Sequence, residues 1–116
     1  MVAVCHCTNC QKQSGSAFTV NVGVRADSIT MTGGSLKTYT DNGASANRIH
    51  RKFCGDCGSF LGTEIKAAQN LCFVSVGTLD DSTWAVPTVE IWCESKTDWG
   101  TLGDDIPKFP QNPPMA

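Results

Sequence analysis

Five of the seven cysteines in this 116-residue chain fall in two tight groups, Cys5-His6-Cys7-Thr8-Asn9-Cys10 and Cys54-Gly55-Asp56-Cys57. No other feature limits the possible folds as much, because sulfurs this close in sequence must share an ion, be oxidised or pack as free thiols. In an extended segment residues i and i+2 project to one side, so Cys5 and Cys7 can face a single ion. A turn through Thr8 and Asn9 then carries Cys10 round to it. Three thiolates at ~2.3 Å from zinc leave a fourth tetrahedral position open, which is how catalytic zinc sites differ from closed structural ones. A bound dication also accounts for deprotonation of thiols whose ordinary pKa is near ~8.5. Reduced or disulfide-linked thiols without metal are the alternative, and three cysteines in six residues count against it. His6 lies between two ligands and points to the opposite side, which makes it a packing or hydrogen-bonding residue.

The second group, Cys54 and Cys57 followed by Gly58, has the form of a zinc knuckle at a hairpin tip. The turn aims backbone N–H groups at the first sulfur, and the glycine tolerates the positive φ that the turn needs. A knuckle supplies two of four ligands. Cys72 and Cys93, the remaining thiols, lie in apolar strand-like runs and read as core cysteines. A thioredoxin-like role for Cys54 and Cys57 is disfavoured, since that motif opens a helix in a βαβ unit.

Periodicity favours strands. Phe18 to Val24 alternates large apolar with small or polar residues. Ser28 to Thr32 and Ser35 to Thr40 flank Gly33-Gly34 as a candidate hairpin. Asp41-Asn42-Gly43 and Ala67 to Asn70 read as turns. Further strands are expected over Asn47 to Phe53, Leu61 to Ile65, Leu71 to Val76 and Thr88 to Cys93. A short helix fits Thr8 to Gly15 with Thr8 or Asn9 as N-cap, and Asp80-Asp81-Ser82 can start another. From Gly103 to Ala116, Pro107, Pro110, Pro113 and Pro114 forbid regular structure, and this tail is expected to wrap the surface or fray. With no internal repeat or linker, residues 1–116 read as one all-β domain.

Composition narrows the partners. The chain is 41% apolar and 17% charged, as in globular proteins, and nine basic against eleven acidic residues give a net charge of -2. That balance argues against a nucleic-acid surface or a basic membrane-binding face. No run approaches the ~20 apolar residues of a membrane span. The amino terminus lacks the charged and apolar regions of a secretion signal. A cytoplasmic protein is expected, and in a reducing compartment close cysteines are more often metal ligands or catalytic thiols than disulfides.

Taken together, C-H-C-T-N-C-Q-K-Q-S-G-S-A-F (Cys5 to Phe18), R-K-F-C-G-D-C-G-S (Arg51 to Ser59) and P-T-V-E-I-W…W…D-I-P-K-F (Pro87 to Phe109) resemble the glutathione-dependent formaldehyde-activating enzyme family, which includes centromere protein V. The resemblance implies a β-tent, stacked antiparallel sheets around zinc with little helix. It implies that Cys5, Cys7 and Cys10 hold a catalytic zinc and that Cys54 and Cys57 hold half of a structural one. In the family the other half is a Cys-x-Cys pair on a preceding strand. This sequence has no such pair, so the chain is expected to be shortened at its amino terminus, to have evolved without that strand, or to complete the site with another group.

The activity implied is that of a zinc-dependent carbon–sulfur lyase, acting on the adduct of a glutathione-type thiol with a small carbonyl compound. Zinc with an open position acts as a Lewis acid on a thiol or a carbonyl, and a soft sulfur environment suits a sulfur donor. No general base is marked. His6, His50, Asp56, Glu64 and Glu90 read as surface or hydrogen-bonding residues, and Lys12 as a solvated lysine able to attract carboxylates. The rival reading is a non-catalytic zinc module that binds a partner protein, with Trp84, Trp92 and Trp99 as anchors in place of the core packing otherwise expected of them. Disulfides in an exported protein are a third reading, disfavoured by an odd cysteine count.

Overall fold

Val2–Cys5 forms strand β1, which the sequence reading did not place, and it sits next to last in the sheet. All four of its residues are buried. A run covered on both faces shows no alternation, so periodicity does not mark it. The computed structural model describes residues 1–30, 32–42, 48–65, 70–100, 102–103 and 105–113. After helix α1 (Thr8–Ser14) come β2 (Thr19–Arg25), β3 (Leu36–Asn42), β4 (Arg48–Cys54), β5 (Phe60–Ile65), β6 (Leu71–Ser75) and β7 (Val89–Ile91). The expectation of a β-rich chain with little helix holds. The seven strands join by hydrogen bonds into one sheet of order β3-β4-β5-β6-β2-β1-β7.

β1 runs antiparallel to β2, with Cys5 opposite Thr19, and parallel to β7, with Cys5 opposite Ile91. The parallel pair departs from the antiparallel sheets expected. It lets β7 approach from the far end of the chain and cover β1, and Val2, Ala3, Val4, Val22 and Val89 form the buried apolar core there. Burying such side chains contributes on the order of 1.5–3 kcal/mol each.

Local chemistry explains where expected elements fail. Ala26–Ser28 is a 3-10 turn, closed by the Ser28 hydroxyl donating to the Arg25 carbonyl at 2.6 Å, so no strand starts at Ser28. β3 instead pairs with β4 in an unbroken register from Leu36↔Cys54 to Asn42↔Arg48, and the Gly33-Gly34 hairpin is not formed. Asp80-Asp81-Ser82 starts no helix. Asp81 accepts from the backbone N–H and hydroxyl of Thr83 at 3.0 and 2.6 Å, an Asx turn that competes with helix initiation. The N-cap of α1 is Cys7, one residue before the expected Thr8, because its sulfur accepts from the Cys10 N–H at 3.2 Å. Asn42 continues β3, and Asn70 turns at φ 63°. Gly43, Asn47 and residues 67–69 of the expected turns and strands lie outside the described residues.

The proline-rich tail wraps the sheet. Glu90 donates its N–H to the Pro107 carbonyl and accepts from the Phe109 N–H, both at 2.9 Å. The edge of β7 is thereby covered rather than left as an open template. Trp84 and Trp99 are not in the core: they are 57% and 74% exposed. Trp92 is half-buried and donates its indole N–H to Asn112 at 2.9 Å. Cys72 and Cys93 are likewise half-buried rather than core residues.

Gly62 sits mid-sheet, opposite Lys52 on one side and Val74 on the other. A Cβ there would overlap the Phe73 carbonyl oxygen. Gly62→Ala is therefore expected to lower unfolding free energy by about 2–3 kcal/mol, read as a reduced urea midpoint.

Candidate metal centre

β1 carries Cys5 to the end of its pairing with β2 and β7, and the chain then turns into α1. Cys7, extended at φ -62° and ψ 150°, closes that turn, and the first helical residues present Cys10. The three sulfurs lie within 4.8 Å of one another. Tetrahedral ligands at ~2.3 Å from zinc are about 3.8 Å apart, so the spacing suits one ion. Cys5 and Cys10 are buried and Cys7 is part-exposed. The convergence anticipated from the spacing is present, and the three thiols can hold a metal ion.

Without a metal the trio shares its protons unequally. Hydrogen bonds from the Cys5 and Cys7 thiols, with support from the Thr19 hydroxyl and the Arg51 guanidinium, hold Cys10 far below the ordinary thiol range. Cys5 is pushed up by its bonds to Cys10 and Cys7 and by burial. Charge thus concentrates on Cys10, the sulfur nearest a cation: Arg51 Nη1 is 3.6 Å from Cys10 Sγ. Arg51 is 2% exposed, and its Nε donates to Asp41 Oδ2 at 2.6 Å.

Sequence reasoning assigned Arg51 no role. The available signal is alternation along β4, where Ile49, Arg51 and Phe53 share a face and put a cation on an apolar side. Thr19 was also missed. It takes a hydrogen bond from Asn21 at 3.0 Å, stands opposite Cys5 in the β1–β2 register, and its hydroxyl helps to lower the Cys10 thiol.

His6 is fully buried and serves as a hydrogen-bonding residue, as anticipated. Its Nε2 lies 2.8 Å from Glu90 Oε1, and the Phe18 ring meets its own edge-on with centroids 5.5 Å apart. Glu90, expected on the surface or in a hydrogen bond, is fully buried in the latter role, and Lys108 Nζ lies 3.4 Å from its other oxygen. Donor atoms of His6, Glu90 and Cys93 also fall within 4.8 Å of one another. The ammonium of Lys108 beside that carboxylate opposes a second cation at this position. His50 bonds the Thr40 hydroxyl at 2.9 Å, Asp56 accepts from Ser35, and Lys12 and Glu64 are exposed.

At the knuckle the anticipated positive φ of Gly58 is present, and the turn's N–H groups go to carbonyl oxygens in place of the first sulfur. Cys54 N–H donates to Ser59 O at 2.9 Å, Gly58 N–H donates to Cys54 O at 2.8 Å, and Gly58 takes φ 78°. Ser59, bonded to the Cys57 sulfur at 3.2 Å, holds that exposed thiol below its ordinary range. Among the described residues no third cysteine, histidine or carboxylate joins Cys54 and Cys57 in a ligand group. Two sulfurs alone do not fit a closed four-ligand site.

A cavity of about 390 Å³ lies between α1, β2 and the knuckle, walled by Gln13, Phe18, Thr19, Phe60 and Val76 among others. Thr19 belongs both to this wall and to the sulfur cluster. Among the described residues no helix is long and apolar enough to cross a membrane.

The family model described as "Glutathione-dependent formaldehyde-activating enzyme" matches residues 1–95. A protein of Phaeosphaeria nodorum (strain SN15) named for the same activity is 29% identical over 99 residues, covering 83% of this chain and 51% of its own. The chain thus spans about half the length of that curated relative. With 95 of 116 positions inside the family match and the cysteine trio converged at its start, this chain belongs to the glutathione-dependent formaldehyde-activating enzyme family.

Proposed function

We propose that the chain is a zinc-dependent carbon–sulfur lyase acting on the adduct of a glutathione-type thiol with a small carbonyl compound. One observation carries the reading: three sulfurs close enough for a single ion, two buried and one facing solvent, beside a cavity that shares the Thr19 wall. Zinc, when held by Cys5, Cys7 and Cys10, supplies Lewis acidity at its fourth position toward a thiol or a carbonyl.

In the cleavage direction the adduct hydroxyl loses its proton and the C=O bond forms. The C–S bond breaks with its electrons going to sulfur, and the sulfur ends protonated as the free thiol. The chain's own contribution is positional and electrostatic. Burial of Cys5 and Cys10 keeps water from two of the ligands, while part-exposed Cys7 marks the side from which substrate enters. Arg51 offsets the negative charge of the thiolates, and the Cys10 N–H orients the Cys7 sulfur. The reading uses the amino-terminal trio alone. Cys54 and Cys57 offer half of the ligands of a structural zinc and no described residue offers the rest, so about one tightly held zinc per chain is expected. A reducing, cytoplasmic setting accords with the free thiols.

A second reading, a zinc module that docks a partner protein, draws on the exposed Trp84 and Trp99. Calorimetric titration with glutathione and then with its hydroxymethyl adduct separates the two. Binding at millimolar concentration or below supports the lyase, and silence toward both ligands overturns it. Cys7→Ser is expected to lose zinc and thiol binding while keeping a cooperative urea transition; wholesale unfolding of that variant would make the site structural. Arg51→Met is expected to lower stability by about 3 kcal/mol, because Asp41 loses its buried partner, and Asp41→Asn in the same background should recover part of the loss.

A further inference from the structure

Formaldehyde presents only hydrogens on its carbon and needs no room beside the reacting centre. Yet a cavity of about 390 Å³, within the size range of small-molecule sites, lies beside the helix that carries Cys10, with none of the three cysteines in its wall. Its walls touch the cluster's surroundings twice. Thr19 pairs with Cys5 across β1 and β2, and Gln13 and Ser14 follow Cys10 on α1. Phe18, Phe60, Val20 and Val76 give it apolar faces, and Gln13, Ser14, Thr19 and Ser75 bring uncharged polar groups in nearly equal share. Among the described residues its lining carries no charged side chain.

That lining decides which part of an adduct can enter. Glutathione carries two carboxylates and an ammonium, and taking each ion out of water without a partner costs several kcal/mol. The tripeptide therefore stays on the open side, and what enters is the group carried by the carbonyl carbon. Two phenylalanine rings favour an aromatic occupant, which gains both area burial and ring–ring contact.

Resting on the lyase reading above, we propose that this cavity receives the carbonyl-derived substituent of the adduct. That substituent is uncharged, with a ring or branch of about phenyl size, so the substrate class is the thiol adduct of an aromatic or branched aldehyde rather than of formaldehyde.

Three thioethers that cannot undergo the reaction probe this by calorimetry on the zinc-loaded protein: S-methyl-, S-benzyl- and S-carboxymethylglutathione. S-benzylglutathione is expected to bind about tenfold tighter than the S-methyl compound, and the S-carboxymethyl compound no tighter than S-methyl. Val76→Asp should bring S-benzyl affinity down to the S-methyl level; Phe60→Ala serves the same purpose if the aspartate variant does not fold. Equal or weaker binding of the benzyl compound, with glutathione itself still bound, overturns the substrate assignment and leaves the lyase reading standing. No binding of glutathione or of any thioether removes the lyase reading, and the assignment with it.

Discussion

The hydrogen bond between His6 Nε2 and Glu90 Oε1, with both side chains fully buried, is the interaction on which the rest depends. It fixes the one residue that separates Cys5 from Cys7. The same residue donates its backbone N–H to Ile91 O at 3.0 Å and accepts from Gln11 Nε2 at 2.8 Å. The ligand-bearing turn is thus held at three points, to β7 and to α1. A carboxylate with no exposure is costly unless compensated, and Lys108 from the carboxy-terminal tail supplies the compensating charge at 3.4 Å. The tail therefore helps to secure the turn that sets the sulfur geometry. Metal ligands held by such outer contacts keep their orientation when the ion is absent.

Charge is balanced on the other side of the trio by similar means. Arg51 stands between Asp41 and Cys10, so one buried cation serves a carboxylate and a sulfur together. Zinc with three thiolates carries about one net negative charge, which a neighbouring guanidinium partly offsets. Because Arg51 belongs to β4 and the trio to β1 and α1, this contact also ties the cluster to the far half of the sheet.

Where local spacing alone decides geometry, the sequence was readable. Cys5 and Cys7 share a side of an extended segment and a helical turn returns Cys10, and all of this happens within six residues. Gly58 likewise announced the positive φ of the knuckle. What depends on distant partners was not readable. Val2 to Cys5 is buried throughout and flanked on both edges by strands that arrive from residues 19–25 and 89–91, so its own pattern is blank. Glu90 read as a surface or hydrogen-bonding acid, and nothing nearby in sequence names His6, 84 residues away, as the partner. Trp84 and Trp99 invited a core assignment on hydrophobicity, but they lie in connecting segments that the sheet does not cover. Alternation did put Arg51 on an apolar face, yet the pattern cannot say that a sulfur waits there.

The two cysteine groups show how environment divides similar chemistry. Cys54 and Cys57 sit at a hairpin tip, and Cys57 is fully exposed to solvent. A thiolate there is stabilised by water and by Ser59, so an ion gains little that solvent does not already offer. Cys5 and Cys10 are buried, and their negative charge has no water to fall back on. Desolvation raises the free energy of an unpaired thiolate and strengthens its attraction to a cation by the same lowering of the dielectric. The buried trio therefore has the larger drive to take up a dication, and with only three sulfurs it satisfies that drive without closing the coordination shell. On the reading proposed above, an ion held this way would keep one position for a ligand from outside, and the nearby cavity bounded by Thr19 would give that ligand room.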